Sequence, residues 1–386
     1  MFCRYFKILI ILLVAEFPVL LFAQENESLR WDEYVSFKED YHIDTSLHDQ
    51  FYIRIKNSNF FKNNEYANEF KIGSSLSGLF LEPTIDYYAS RQTRIRAGVH
   101  FLKYNGRDNI ERSVPVLTVQ HSLNEHIDMV FGTLFGTVNH GLKEPIFSFE
   151  KYLVDNYENG FQFLFNYPDF VGDLWLNWEQ FIQEGDPFQE KFTAGLNMCF
   201  DLYKGGNFSI GLPVQTYFRH QGGQIDNSNL PAGTQSNFVQ GLKMQWFSES
   251  DFIDLLILEQ DFFQFLEINP DNHIEIPYGS GNYTSLTVGT RMGDFSVAYW
   301  KAKNFTSPHG EVLFLSNSAY DPEFYMAERE VLSIKYQYHY KINDFLDFIL
   351  RIEPYYHFHS DRLDHSFGVS LLVDKSFFLA RSMGSQ

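Results

Sequence analysis

Residues 346–359 read LDFILRIEPYYHFH, and apolar side chains alternate with polar ones along them. Phe348 and Leu350 fall on one face of an extended chain, whereas Arg351 and Glu353 fall on the other. Successive side chains of a β-strand point to opposite faces of its sheet, so a period of two residues indicates a strand. The stretch therefore predicts a strand with one apolar face and one charged face.

The same alternation recurs at 192–201, 206–218, 236–246 and 331–340. In each stretch polar side chains lie at mid-strand, and aromatic side chains accompany the apolar face. A soluble sandwich would hide its apolar face in a shared core, but this pattern is typical of a barrel with lipid outside and water inside. We therefore expect an all-β fold, a transmembrane antiparallel up-and-down β-barrel.

The connections between these stretches alternate between short and long. Tight turns fall near 90–93, 124–126, 168–170, 204–206, 248–251, 292–294 and 342–344, and longer loops near 60–69, 105–112, 138–158, 182–189, 220–234, 266–281, 304–328 and 360–364. Seven turns and eight loops predict about 16 strands (roughly 14–18), with the short turns and both ends of the barrel on the periplasmic side.

The composition excludes two broad classes of protein. Hydrophobic residues make up 44% of the 386 residues, and the mean hydropathy is -0.26. Beyond residue 25 no apolar run reaches the ~18–20 residues that a membrane-spanning helix needs. A formal net charge of -19 repels nucleic acid. A helical membrane protein and a nucleic-acid-binding protein are therefore excluded.

The first residues predict export. Arg4 and Lys7 precede an apolar stretch at 8–22, so residues 1–23 are expected to be a secretory signal peptide, with an uncleaved anchor as the alternative. Removal of the signal leaves a single cysteine, Cys199. A disulfide within the chain and a cysteine-based metal site are then excluded.

Three further segments complete the predicted organisation. Residues 24–50 are acidic and lack a clear period, which predicts a periplasmic leader of low order. Residues 51–379 are expected to form the barrel, and residues 380–386 a C-terminal tail.

In its strands, turns and aromatic residues the chain resembles the outer-membrane β-barrel proteins of Gram-negative bacteria, specifically the porin-like members with about 16 strands. Its acidic composition, rich in Tyr and Phe, is similar to that of barrels of the Bacteroidota. One departure is the end of the chain, where LARSMGSQ follows Phe377 and Phe378, whereas such barrels usually end on an aromatic residue. The resemblance implies a protein of the cell outer membrane, in contact with outer-membrane lipid.

A barrel this wide is not filled by its own wall side chains, so we expect a water-filled lumen. The alternation assigns these residues to the pore lining: Arg54, Lys56, Glu82, Asp86, Arg94, Arg96, Asp173, Trp175, Glu179, Arg219, Lys243, Arg291, Lys335, Arg351 and Glu353. Basic residues on the first and third strands face acids on strands further round the wall. This arrangement predicts an electric field across the lumen that selects among permeating ions. Pairing of these arginines with Glu82 and Asp86 is the alternative, and it would cancel the field.

The third long loop folds inward to narrow the pore in many general porins, and the resemblance suggests the same constriction here. Its acids Glu144, Glu150 and Asp155 would then face Arg94 and Arg96 across the lumen. An external loop that packs on neighbouring loops is the alternative.

Trp175 lies between Asp173 and Glu179 on one strand face, as in a path for saccharides. The neighbouring Trp178 faces the other way and is more simply part of an interfacial aromatic belt.

Signals for catalysis are weak. His357, His359, Asp361 and His365 cluster near a strand end and would suit zinc, although such histidines are common in barrel walls. No GxSxG motif is present, and no serine nucleophile accompanies His140. We therefore predict no enzymatic activity, no cofactor and no metal site.

The function predicted from these features is a water-filled pore for the passive diffusion of small hydrophilic solutes. The alternative is a non-conducting structural or accessory subunit of an outer-membrane complex. Outer-membrane lipid is the expected partner, and a homo-oligomer or another subunit of such a complex stays open.

Overall fold

The computed structural model describes residues 34–228, 230–248, 250, 252–268 and 277–382. The predicted signal peptide, residues 24–33 of the predicted leader and residues 383–386 of the predicted tail lie outside this described part. Within it, no helix combines the length and the apolar character needed to cross a membrane.

Sixteen strands form one closed antiparallel sheet, in which each strand pairs with its neighbours in sequence and the last strand pairs with the first. The strands are β1 Gln50–Glu65, β2 Ser75–Ser90, β3 Thr93–Tyr104, β4 Arg112–Asn124, β5 Ile127–Thr133, β6 Asn159–Asn166, β7 Phe170–Gln180, β8 Lys191–Gly205, β9 Phe208–Gln221, β10 Gly233–Phe247, β11 Ile253–Ile268, β12 Tyr278–Thr290, β13 Gly293–Lys303, β14 Glu328–Asn343, β15 Leu346–His357 and β16 Arg362–Arg381. The predicted up-and-down barrel of about sixteen strands is confirmed, and it runs from Gln50 to Arg381.

The two ends of the barrel differ in their connections. Seven turns of two to five residues lie at the end where β1 begins and β16 ends, and eight loops lie at the other end. Outer-membrane barrels place short turns in the periplasm and longer loops outside, so we call these the periplasmic and extracellular ends. The longest loops are the third loop (residues 134–158) and the seventh loop (residues 304–327).

Helical structure in the described residues is limited to short segments. They are α1 Glu150–Val154 and the 3-10 turns Val35–Phe37, Thr45–Leu47, Thr137–His140 and Val312–Phe314. All of them lie in the third loop, the seventh loop or residues 34–49, which we call the leader segment.

Side chains alternate between the lumen and the outside of the wall. On β1, Arg54 and Ser58 are buried towards the lumen, whereas Ile53 and Ile55 are exposed on the outside. From β4 to β9 the outward side chains are nearly all apolar, for example Leu117, Phe131, Phe161, Leu174, Phe200 and Phe218. An exterior of this kind is suited to lipid.

The lumen is occupied by the leader segment and by the third and seventh loops. Phe37 of the leader lies with its ring 4.9 Å from that of Phe149 and 5.5 Å from that of Tyr152, both in the third loop. In the seventh loop, Phe314 is fully buried and lies 6.0 Å from Trp300 of the wall. Because their aromatic side chains find apolar partners here, residues 34–49 pack inside the barrel rather than forming a leader of low order ahead of it.

Candidate functional site

Charges on the lumen side of β1 and β3 are paired. Arg96 forms a bidentate ion pair with Asp86. Its Nε lies 2.9 Å from Oδ1, and its Nη2 lies 3.0 Å from Oδ2. The carboxylate of Glu39, in the leader segment, accepts hydrogen bonds from Arg54 at 2.5 Å, Lys56 at 2.7 Å and Arg96 at 2.6 Å. These acids offset the local excess of positive charge on which the predicted transverse field depended.

Glu39 is held ionised by its three basic neighbours. Burial by itself would raise the pKa of Glu39, but the positive charges of Arg54, Lys56 and Arg96 outweigh it and lower the pKa well below its usual value. The leader is therefore anchored in the lumen by a buried charge network.

Most of the other residues assigned to the pore lining also face inward and are paired. The pairs are Glu82 with His100 at 3.1 Å, Asp173 with His140 at 2.7 Å, Arg219 with Glu179 at 3.4 Å, Lys243 with Glu259 at 3.7 Å, Lys335 with Glu144 at 2.5 Å, and Arg351 with Glu353. Arg94 donates to Gln120 at 2.7 Å. Arg291 is the exception, because it lies exposed in the turn between β12 and β13 and not in the wall.

The third loop folds inward, but its acids do not face the two arginines named in the sequence analysis. Glu144 bonds Lys335 and Tyr355, Glu150 bonds Lys62 and Lys71, and Asp155 bonds Arg112 and Lys151. The partners lie on the wall, on the first loop and on the third loop itself. The loop therefore fills the lumen with local ion pairs and does not build one opposed pair of charged faces.

His140 of the third loop is fully buried between two carboxylates. Its Nδ1 lies 2.7 Å from Asp173 Oδ2, and its Nε2 lies 2.9 Å from Glu158 Oε2. Burial lowers the pKa of His140, but the two carboxylates outweigh it and raise the pKa to about 9. With both ring nitrogens occupied, this imidazolium has a structural role and not that of a general base.

Trp175 is covered by this histidine. The two rings stack with centroids 3.6 Å apart, and Trp175 is only 2% exposed. The indole is therefore not open to a saccharide in this structure. Trp178 is 43% exposed on the outer face.

A second histidine in the lumen, His309 of the seventh loop, lies between a hydroxyl and a carboxylate. Its Nδ1 is 2.5 Å from Tyr217 Oη, and its Nε2 is 3.5 Å from Glu179 Oε1. Burial, together with the nearby charges of Lys151 and Arg219, lowers the pKa of His309 well below its usual value. This neutral imidazole could act as a base, but the barrel wall separates it from membrane lipid.

The histidines near residue 360 do not form one site. His357 points into the lumen, where its Nε2 lies 3.0 Å from Asp364, whereas His365 is exposed on the outside. In the described residues no group of three or more His, Cys, Asp or Glu side chains is arranged to hold a metal ion.

Polar side chains interrupt the apolar exterior on β16, β1 and β2. We call this set the outer polar patch, and its members are Asn57, Asn59, Asn63, Glu65, Ser75 and His365. They share the outward face with Ile53, Ile55 and Phe61, which are 37–39% exposed. The patch lies in the extracellular half of the strands, because β1 runs from the periplasmic end to Glu65.

Hydrogen bonds and strand pairing connect the members of the patch. Ser75 Oγ donates to Asn63 Oδ1, and Asn63 Nδ2 donates to Glu65 Oε1 at 2.7 Å. Glu65 is directly paired with His365 across β1 and β16. Directly opposed side chains have Cβ atoms about 4.5–5.5 Å apart, so the side chains of Glu65 and His365 leave the wall next to each other.

Two asparagines extend the patch towards the middle of the strand. Asn59 Nδ2 donates to Asn57 Oδ1 at 2.6 Å, and Asn57 Nδ2 donates to the backbone oxygen of Phe80 at 2.8 Å. Polar side chains that face lipid are costly, which makes this group a candidate functional site. The signal was available in the sequence, because the outward positions of β1 from 53 to 65 read Ile, Ile, Asn, Asn, Phe, Asn, Glu.

The patch contains the groups that ester hydrolysis needs. An imidazole can take a proton from water, a carboxylate at the paired strand position favours the resulting positive charge, and side-chain amides can donate to an oxygen on which negative charge develops. Lipid can reach these groups directly, unlike those in the lumen. We therefore regard the outer polar patch as the candidate active site.

Residues 43–382 match the model of a family described as Lipid A 3'-O-deacylase-type. The matched span contains the whole outer polar patch. Because this is a family of enzymes, the prediction that the chain has no enzymatic activity is wrong. Glu65 and His365 lie on strands from opposite ends of the chain, so no local motif in the sequence marks them as a pair.

The chain is also similar to solved outer-membrane proteins. It shares 11% identity and a TM-score of 0.48 with a loop L8 deletion mutant of OmpT from Vibrio cholerae, over 84% of this chain and 98% of that one. With OprD from Pseudomonas aeruginosa it shares 8% identity and a TM-score of 0.48, over 87% of this chain and 96% of that one. Similarities this low carry no argument about function. Comparison with curated proteins gives no match.

The location predicted from the sequence is confirmed. The closed barrel has an apolar exterior, short turns at one end and loops at the other. The protein is an outer-membrane β-barrel.

Proposed function

Because the chain belongs to the lipid A 3'-O-deacylase-type family, we propose that it hydrolyses an acyl ester of lipid A at the outer polar patch. The observation that carries this proposal is the pairing of Glu65 with His365 on the lipid-facing side of the wall. Lipid A lies in the outer leaflet, so its acyl esters meet the outside of the barrel towards the extracellular end.

In the proposed reaction His365 is the general base. It takes a proton from a water molecule as the water oxygen bonds to the ester carbonyl carbon, and the negative charge of Glu65, at the directly paired position of β1, favours the imidazolium that forms. The bond between the carbonyl carbon and the sugar oxygen then breaks, and the proton passes to that oxygen. The products are a free fatty acid and a sugar hydroxyl.

Asparagine amides are placed to stabilise the intermediate. Asn59 and Asn63 point to the same side of β1 as Glu65, and each side-chain NH2 group has two hydrogens, of which one is used in the bonds described above. The remaining hydrogens can donate to the carbonyl oxygen as its negative charge grows.

Water is a better candidate for the nucleophile than Ser75. The Ser75 hydroxyl donates to Asn63 and not to an imidazole. Ser75 is paired with Asn63, whereas His365 is paired with Glu65, which lies two residues further along the strand. A serine needs a base within hydrogen-bond reach to become nucleophilic.

The test is release of fatty acid from lipid A by the purified protein folded in lipid vesicles, followed by mass spectrometry. We expect the wild type to remove one acyl chain, and His365→Ala to lower the rate by about 100-fold or more, the usual effect of losing a general base. His220→Ala is the matched control, because His220 is also outward-facing at the extracellular end and bonds Thr234 at 2.8 Å.

Two outcomes would contradict the proposal in different ways. If His365→Ala released fatty acid at the wild-type rate and His220→Ala lost activity, the active site would lie on β9 and β10 instead of the outer polar patch. No release by folded wild type under any condition would remove the hydrolase function itself.

Passive diffusion, the function predicted from the sequence, has less support. Side chains of the leader segment and of two loops occupy the lumen through which solutes would pass. Recording from the wild type in planar bilayers tests this function. Stepwise conductance would support a pore, and silence of a folded barrel would favour either the hydrolase or a non-conducting subunit.

A further inference from the structure

A second polar area interrupts the exterior on β10, β11 and β12. We call it the amide patch, and its members are Gln240, Gln260, Gln264, Asn282 and Thr284, all of them exposed. They lie on the same outward face as Leu258 and Leu286, which are 45% and 42% exposed. The patch runs from mid-strand towards the extracellular end.

The orientation of these side chains is set by their inward neighbours. Phe263 and Phe265 are buried in the lumen at 0% and 2% exposure, so Gln264 between them points outward. Gln260 lies on the same face, and its Oε1 accepts from Thr284 Oγ1 of the next strand at 2.5 Å. On this strand two glutamines therefore interrupt an outward face that otherwise carries Leu258 and Leu266, while aromatic rings lie in the lumen.

Thr284 and the backbone oxygen of Asp261, which accepts from Gln260 Nε2 at 3.5 Å, satisfy part of the Gln260 amide, but lipid tails offer no hydrogen-bond partner to the rest of the patch. An amide transferred to an apolar medium without a hydrogen-bond partner loses several kcal/mol relative to water. The strands from β4 to β9 show that this wall can be apolar over nearly all of its membrane face. The amides are therefore expected to meet a polar partner within the membrane.

The centre of the patch is uncharged and contains both donors and acceptors. Glutamine and asparagine each provide an acceptor oxygen and an NH2 donor, so the patch can pair with a copy of itself. It contains no imidazole and no carboxylate at its centre, which distinguishes it from the outer polar patch. Its depth, at mid-strand, also places it below the sugar headgroups of the leaflet.

Charged residues at the extracellular border of the patch also favour a second copy of this chain as the partner. Lys301 on β13 and Glu330 on β14 are directly paired, with Nζ and Oε2 4.0 Å apart. An axis of two-fold symmetry beside the patch would bring Lys301 of each copy towards the Glu330 of the other. The overall charge of -19 makes two copies repel elsewhere, but this face is locally neutral.

We propose that the amide patch is the interface through which two copies of this chain form a symmetric dimer in the membrane. A two-fold interface uses the same surface on both subunits, so a self-complementary patch is what it requires. Hydrogen bonds between polar side chains are a known means of association within lipid.

The first experiment measures proximity in isolated outer membranes. In a Cys199→Ser background, the Gln260→Cys variant is treated with a bismaleimide and separated by denaturing electrophoresis. We expect a dimer band. Leu174→Cys is the matched control, because Leu174 is also exposed, at 42%, on the apolar side of the barrel, and no dimer band is expected there.

The second experiment measures the mass of the folded protein in detergent by native mass spectrometry. Replacement of both Gln260 and Asn282 by leucine keeps the exterior compatible with lipid and removes four amides from each dimer. We expect the dissociation constant of the dimer to rise by about tenfold or more.

The proposal is overturned by any of three results. They are a dimer band of equal strength for Leu174→Cys, no dimer band for Gln260→Cys in a folded barrel, and a double leucine variant that dimerises as well as the wild type. A different protein bound at this face in place of a second copy would also overturn it.

Discussion

At the scale of single residues, His140 makes the stability of the barrel depend on pH. Its pKa of about 9 in the folded protein lies above the value of about 6.5 for an unfolded chain. Stabilisation by its charged form is therefore complete below pH 6.5 and is lost as the pH rises to about 9. We expect the free energy of unfolding in urea to fall by on the order of 3 kcal/mol across this range.

His140→Gln should remove this pH dependence and destabilise the barrel at pH 6 by about 3–5 kcal/mol, because Glu158 and Asp173 are left buried without a cation. His339→Gln is the control, since His339 pairs with Asp347 in a partly exposed position. A His140→Gln variant with the same pH profile as the wild type would show that the two carboxylates do not depend on the imidazolium.

At the scale of elements, Glu39 supplies the buried ion pairs that hold the leader segment in the lumen, beside the aromatic contacts of Phe37. Glu39→Gln would leave Arg54, Lys56 and Arg96 without this carboxylate. We expect the leader to leave the lumen more often, and trypsin to cleave after Lys38 in the folded protein roughly tenfold faster or more.

Asp44→Asn is the matched control for this experiment. The carboxylate of Asp44 bonds only locally, to the backbone nitrogen of Ser46 at 2.9 Å and to its hydroxyl at 2.7 Å. We expect cleavage after Lys38 to be unchanged in this variant. Equal cleavage rates for Glu39→Gln and the wild type would mean that the aromatic contacts of Phe37 are sufficient to hold the leader.

At the scale of the whole molecule, the two ends of the barrel can be distinguished by labelling intact cells. Cysteine introduced at Asn227, exposed in the loop between β9 and β10, should react with an impermeant maleimide. Cysteine introduced at Asn343, at the tight turn after β14, should not. Labelling of the Asn343→Cys variant in sealed cells would reverse the orientation of the barrel and place the outer polar patch in the inner leaflet.

Much of this fold follows from local chemistry. The alternation at 346–359 predicts both a strand and its two faces, because a period of two is a property of the extended chain itself. Repetition of that pattern, with turns and loops in alternation, predicts the closed barrel and its number of strands. The polar outward positions of β1 can also be identified from the sequence, once β1 is known to be a strand.

Only the tertiary structure decided what the barrel contains and what its exterior brings together. The packing of His140 against Asp173 and Trp175, and of Glu39 against three basic residues, depends on loops that fold back into the lumen. Glu65 and His365 become neighbours only because β16 closes against β1. Contacts between distant segments depend on the path of the whole chain, whereas the alternation of apolar and polar side chains is a local property of a few consecutive residues.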